Sequence, residues 1–127
     1  MNDTWKKLYT VVQDRRVNPQ EGSYTCYLFE KGLDKILKKV GEECSETLIA
    51  AKNGIQEETV GEISDLLYHL TVLMVEQDIP LEAVMDELDR RSQKIGNLKT
   101  FHQSDHESCA IKTGCAPKTR AHTRILL

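Results

Sequence analysis

The segment from about Glu57 to Gln77 is apolar at helical period on nearly every side, and the exception is one stripe carrying Glu62, Asp65 and His69. A helix apolar almost all round is buried among other elements. The segment therefore predicts a central helix with embedded acids. Leu66 and Leu73 flank one side of the Glu62/Asp65 stripe and Val72 flanks the other. Four more stretches have helical spacing, and no stretch alternates with the two-residue period of a strand for long enough to compete. The first runs from about Thr4 to Arg16, capped by Asp3 or Thr4, with Trp5, Leu8, Val11 and Val12 at helical spacing. Asn18-Pro19-Gln20-Glu21-Gly22 breaks it. Ser23 caps a short helix carrying Tyr24, Tyr27 and Leu28 that reaches Lys31-Gly32. The third helix covers roughly Asp34 to Lys52 and is closed by Asn53-Gly54. Pro80 opens a fifth, extending to about Lys94, with Leu81, Val84, Met85 and Leu88 on one side. The expected fold class is all-α, about five helices forming a bundle.

A chain of 127 residues has room for one domain. With 3 Pro, 2 Phe and 1 Trp its core must be mainly aliphatic. A small aliphatic core gains by sharing an interface, so the bundle is expected to be completed by homodimerisation. The net charge of −3 is unevenly divided: residues 1–100 hold 13 basic and 18 acidic side chains, a balance of −5, and residues 101–127 carry +2. No basic stripe covers the periodic part, which argues against a nucleic-acid partner. The longest uncharged run after Asp65, Leu66–Val75, is ten residues, against about 20 for a membrane span. The start, Met1-Asn2-Asp3-Thr4-Trp5-Lys6-Lys7, lacks the apolar stretch of a secretory signal. A cytoplasmic protein without a membrane partner is expected. Cys26 and Cys44 lie in helical patterns and Cys109 and Cys115 near the end, a poor disulfide framework. From Ser104 the chain is polar and without period, and residues 101–127 hold three of the four histidines. The expectation is a folded domain over residues 1–100 and a disordered or non-native tail over residues 101–127. His102, His106, Cys109 and Cys115 do not have a standard zinc spacing.

The chemistry sits on helices three and four. Glu43 and Glu46 are three apart on one, Glu62 and Asp65 three apart on the other, and residues so spaced are neighbours on a helix surface. Such acids are most often solvated. The helical wheel argues otherwise here. The apolar arc of helix three is read as Leu33, Ile36, Leu37, Val40, Cys44, Leu48 and Ala51, and Glu43 lies about 20° from Ile36, at the margin of that arc. Glu46 lies further out, beside Lys39. Four carboxylates brought together on antiparallel helices cannot all stay ionised without a counter-charge. A divalent cation supplies it, and all-carboxylate ligation suits a hard ion, Mg²⁺ first and Mn²⁺ as substitute. Mg²⁺ so held usually completes its shell with waters and substrate phosphates. A phosphate ester or anhydride is the implied substrate.

Lys31, Lys35, Lys38 and Lys39 precede the acidic motif, and Lys52-Asn53 follow it. Singly each lysine reads as a surface residue; as a group they can receive phosphate as point charges. His69, one turn after Asp65, reads as a hydrogen-bonded interior histidine ahead of a catalytic base.

Ser23-Tyr24-Thr25, Leu28-Phe29-Glu30-Lys31-Gly32, Asp34-Lys35-Ile36, Lys38-Lys39-Val40-Gly41-Glu42-Glu43 with Glu46, Ala51-Lys52-Asn53, and Glu62-x-x-Asp65-Leu66-Leu67-Tyr68-His69 together closely resemble the phosphoribosyl-ATP pyrophosphohydrolase family of histidine biosynthesis. That family belongs to the all-α nucleoside triphosphate pyrophosphohydrolases, with the MazG-type and dimeric dUTPase-type enzymes. The paired acids alone indicate only the superfamily; the run from Ser23 to Asn53 indicates this member. The resemblance covers about residues 5–100. It implies a homodimeric helical bundle that hydrolyses the α–β phosphoanhydride of phosphoribosyl-ATP to phosphoribosyl-AMP and pyrophosphate. Carried over by position, Glu43, Glu46, Glu62 and Asp65 are the implied metal ligands and catalytic acids, one of them serving as general base. Lys39 and Asn53 match positions that contact phosphate or nucleotide, and Ser23, Tyr24 and Thr25 are implied to help bind the substrate. Glu42 belongs to the motif with its role open. Without a fused cyclohydrolase, the next step is expected on a separate chain.

Two rivals stand beside this reading. A housecleaning (d)NTP pyrophosphohydrolase of the MazG type needs the same acids but fewer basic contacts than phosphoribosyl-ATP, for which Lys35, Lys38 and Arg90 or Arg91 are candidates. A non-enzymatic helical dimerisation module predicts no Mg²⁺ dependence of stability.

Overall fold

The structure, a computed structural model, describes residues 3–94. The tail over 101–127, with its histidines and cysteines, lies outside the described residues. Five helices follow one another: α1 (Thr4–Val17), α2 (Tyr24–Lys31), α3 (Leu33–Asn53), α4 (Gln56–Glu76) and α5 (Leu81–Ser92). There is no strand among the described residues. The all-α expectation holds, and the helix ends fall within two residues of those read from the sequence.

The local signals act as their chemistry requires. The Ser23 hydroxyl caps α2 by accepting from the Cys26 amide at 3.2 Å. Gly54 closes α3 in the left-handed region, φ 78°, donating its amide to the Ala50 and Ala51 carbonyls. Gly32 serves two helices at once. Its amide bonds to the Leu28 carbonyl at the end of α2, and its carbonyl accepts from the Ile36 amide at the start of α3. It does so at φ 89°, ψ −172°, a region open essentially to glycine alone. A Cβ placed there would touch nothing within 4 Å, so the cost of any side chain is backbone strain. Gly32→Ala is expected to lower the unfolding free energy in urea by about 1–3 kcal/mol. A loss below about 0.5 kcal/mol would show that the corner relaxes.

The chain divides by its internal contacts after Val84. In the first unit, the two-residue link Gly54-Ile55 folds α3 and α4 into a helical hairpin, and α1 and α2 pack onto it. The core joins Val12, Leu28, Ile36, Val72 and Val75, with Leu8, Tyr9, Phe29, Tyr68 and Leu73 packed around them. Polar ties fix α1 along the second half of α4: the Trp5 indole donates to Thr71 Oγ1 at 2.8 Å, the Tyr9 hydroxyl to the Ile79 carbonyl at 2.7 Å, and Arg16 to the Val75 carbonyl at 2.6 Å. In the second unit, the described part of α5 carries Glu87 bonded to both Arg90 and Arg91 at 2.6–2.8 Å. These hydrogen bonds pull the Glu87 carboxyl down to about 2.

Two readings of helix faces need correction. On α3 the buried residues are Ile36, Glu43 and Ala50, seven apart and so aligned after two turns. Leu37, Cys44, Leu48 and Ala51, expected in the buried arc, are exposed, Leu48 at 72%. The helix has two apolar faces, and the wheel merged them into one arc. Glu43 therefore lies in the middle of the buried line, not at its margin. On α4 the second half is central as expected, with His69, Thr71, Val72, Met74 and Val75 buried. Its first half leaves Val60, Ile63 and Leu67 exposed in the single chain, because only α3 covers part of it.

Candidate active site

The hairpin brings Glu43 of α3 opposite the acid stripe of α4. Carboxylate oxygens of Glu43, Glu62 and Asp65 all lie within 4.8 Å of one another. Burial falls outward through this trio: Glu43 is 4% exposed, Glu62 half-buried and Asp65 exposed. The expected embedding thus applies fully to Glu43, in part to Glu62 and not to Asp65 in the single chain. Glu46 is exposed and stands outside the trio, next to Glu43.

One cation serves the buried end. Lys39 Nζ is 3.0 Å from Glu43 Oε1 and 3.0 Å from Glu42 Oε2, and the two bonds raise its pKa. Burial pushes the Glu43 carboxyl up, but hydrogen bonds from Lys39 and Glu46, with the Lys39 charge, outweigh it and hold Glu43 below its ordinary value. Glu46 moves the opposite way, raised by its hydrogen bond to Glu43 and by the charges of Glu43 and Glu62. Glu42, whose role was open, pairs Lys39 and, at 3.6 Å, Lys38. It holds the basic side chains beside the site.

His69 lies beneath the acids, 4% exposed. Its Nδ1 is 2.8 Å from the Asp65 carbonyl oxygen, which can only accept, so Nδ1 carries the proton. In this tautomer Nε2 accepts from the Tyr24 hydroxyl at 3.2 Å. The reading of a hydrogen-bonded interior histidine holds. Next to this pair the Thr25 hydroxyl bonds the Tyr68 hydroxyl. Tyr68, Tyr27 and the pairing itself were not singled out as functional from the sequence; the one available signal was adjacency, Tyr24-Thr25 on α2 and Tyr68-His69 on α4. Tyr24 stacks on Tyr27 with centroids 6.0 Å apart, and both line an open cleft of about 590 Å³ with Pro19, Ser23, Cys26 and Glu30.

The other candidates are spread more widely. Ser23 is the helix cap, Lys35 is half-buried, and Lys38 is exposed. Lys52 and Asn53 form the exposed last turn of α3, about 15 Å along the axis from Glu43 at 1.5 Å per residue. The site thus gathers Glu43, Glu62, Asp65, Lys39, Tyr24 and His69, with Glu46 at its edge.

Carboxylate oxygens converging without histidine or cysteine are a donor set for a hard cation. Set beside known proteins, residues 5–92 match a family profile described as phosphoribosyl-ATP pyrophosphohydrolase. A phosphoribosyl-ATP pyrophosphatase of Clostridium botulinum (strain Kyoto / Type A2) is 57% identical over 98 residues, covering 77% of this chain and 89% of that protein. One from Bacillus cereus (strain AH820) is 50% identical over 105 residues, 83% of this chain and 98% of that protein. The histidine biosynthesis bifunctional protein HisIE of Caldanaerobacter subterraneus subsp. tengcongensis is 59% identical over 88 residues, 69% of this chain and 43% of that protein.

Proposed function

This chain belongs to the phosphoribosyl-ATP pyrophosphohydrolase family, and from that membership we propose how its residues carry out the hydrolysis of phosphoribosyl-ATP in histidine biosynthesis. The observation that carries the reading is the convergence of Glu43, Glu62 and Asp65 oxygens within 4.8 Å. These three fit Mg²⁺, with Mn²⁺ as substitute, because they offer only hard oxygen donors and leave room for waters and phosphate. The ion would supply charge neutralisation of the triphosphate and a water of lowered pKa.

The remaining work falls to the chain. Glu46, exposed next to Glu43 and outside the trio, is the carboxylate we assign as general base toward the water that attacks the α–β anhydride. Lys39, with Nζ at the rim of the trio, and Lys38 behind it are placed to receive charge that builds on the leaving pyrophosphate. Tyr24 and Tyr27 offer an aromatic shoulder for the nucleoside. Substrate is thus gripped by phosphate at one end and base at the other.

We also propose that two chains pair. Leu37, Cys44, Leu48 and Ala51 on α3, with Val60, Ile63 and Leu67 on α4, leave apolar surface exposed on the same hairpin that carries the acids, and a second copy is the occupant with a matching face. Among the described residues no helix is long and apolar enough to cross a membrane.

The test is release of pyrophosphate from phosphoribosyl-ATP and from a dNTP panel, with and without Mg²⁺. Release from phosphoribosyl-ATP that depends on Mg²⁺ is expected. Release from dNTPs alone would replace this reading with a housecleaning role, and release from nothing would leave a helical module.

A further inference from the structure

Two consecutive residues of α2 bond to two consecutive residues of α4, and the two rungs differ in a way that separates their roles. Thr25 pairs with Tyr68, and Thr25 is 9% exposed. That rung holds the helices together from within. Tyr24 pairs with His69, yet Tyr24 is 44% exposed. Its side chain is partly open to solvent near Glu43, while its hydroxyl reaches His69. A staple between helices has no need of a second, exposed rung.

The donor chain through His69 has a direction. The Asp65 carbonyl accepts a hydrogen bond from Nδ1–H at 2.8 Å, which leaves Nε2 as the acceptor for the Tyr24 hydroxyl. Glu43 Oε1 is 3.9 Å from Nδ1, too far to accept that hydrogen bond, and Lys39 at 3.0 Å already supplies its counter-charge. His69 also sits edge-on to both tyrosine rings, with centroids 5.8 Å from Tyr24 and 5.0 Å from Tyr68. Both ring contacts of the imidazole are thus with tyrosines, and one of these tyrosines also receives its Nε2.

We propose that His69 is a positioning residue: through its hydrogen bond to the Tyr24 hydroxyl it fixes the exposed Tyr24 ring beside the acidic trio, where the ring seats the purine nucleoside of the substrate. The proposal rests on the nucleotide reading above and deepens it. It assigns His69 to substrate affinity and not to proton transfer. A phenol that swings freely must be ordered each time substrate binds, whereas one already held is preorganised and loses less on binding. His69, without contacting the nucleotide itself, therefore acts on how it is seated.

The experiment is a double-mutant cycle on the full chain, read by the affinity for α,β-methylene-ATP with Mg²⁺ in calorimetry and by steady-state kinetics on phosphoribosyl-ATP. Tyr24→Phe and His69→Leu are each expected to weaken analogue binding about tenfold, and the double variant is expected to be no weaker than either. His69→Gln keeps a donor toward the Asp65 carbonyl and an acceptor toward Tyr24, so it should restore affinity to within about threefold of wild type. KM should rise with kcat nearly unchanged in Tyr24→Phe and His69→Leu. If His69→Leu fails to fold, Tyr24→Phe and His69→Gln still carry the test. Analogue affinity unchanged in Tyr24→Phe, additive losses, or a loss confined to kcat would each overturn the proposal, as would a wild-type chain that does not bind the analogue. Because analogue binding needs no turnover, a wild type that hydrolyses only dNTPs would sink the phosphoribosyl-ATP reading while leaving the Tyr24–His69 assignment to stand or fall on the cycle.

Discussion

Glu62→Gln is expected to abolish pyrophosphate release, with kcat down by more than about a hundredfold, and to leave the helices intact. The substitution keeps shape and removes one negative charge from a trio whose oxygens lie within 4.8 Å. An amide presents one neutral oxygen where a carboxylate presented two charged ones, so the cation site loses charge and a donor. Stability should move the other way. Glu62 contributes to raising the Glu46 carboxyl, a sign that the cluster repels itself when no cation is bound. Removing one charge relieves that repulsion. Thermal unfolding without Mg²⁺ should therefore occur at the same or a higher temperature in the variant, and the upward shift that Mg²⁺ gives the wild type should shrink. Opposite signs for activity and stability are the mark of a charge kept for function. A loss below about tenfold in kcat at saturating Mg²⁺, roughly 1.4 kcal/mol of barrier, would remove Glu62 from the site.

The spacing that made Glu43/Glu46 and Glu62/Asp65 conspicuous is local, and local geometry is what a sequence shows best. Helix periodicity also placed the ends of α2 and α3, because Ser23, Gly32 and Gly54 act through their own backbone chemistry. Partition within the acid quartet was legible only in part: the wheel set Glu43 nearer the buried arc than Glu46 but put it at the margin, whereas it lies in the middle of the buried line. Whether Glu43 or Glu46 turns inward depends on the angle at which α3 meets α4, and that angle is set by core contacts such as Ile36 with Val72, far apart in the chain. The Tyr24–His69 bond was hidden for the same reason, 45 residues separating its partners. A wheel assigns one apolar arc to a helix; it cannot tell a face that is buried within the chain from one that awaits another molecule. On α3 that ambiguity put Leu48 and Ile36 in one arc, although they lie on different faces.

Leu48→Asp is accordingly expected to convert a dimer into monomers. Leu48 is 72% exposed in the single chain, and burying a leucine contributes about 1.5–3 kcal/mol. In a two-fold interface each substitution is present twice, so the loss is roughly 4 kcal/mol before any cost of burying the new carboxylates, about a thousandfold in the dissociation constant. Sedimentation equilibrium at micromolar concentration resolves such a change. The monomer should keep its helical circular dichroism, since Val12, Leu28, Ile36, Val72 and Val75 close a core within one chain. It should also melt earlier, because Leu37, Ile63 and Leu67 then stay in water. A wild type that sediments as a monomer would remove the pairing proposal, and a variant that still dimerises as tightly would place the interface away from this face of α3. Activity measured on the same samples decides what the pairing is for. A folded monomer that keeps full turnover would show that Glu43, Glu62, Asp65 and Glu46 of one chain suffice. A monomer that loses turnover with its trio intact would mean that the hairpin needs its partner to hold the exposed half of α4, and Asp65 with it, in the working position.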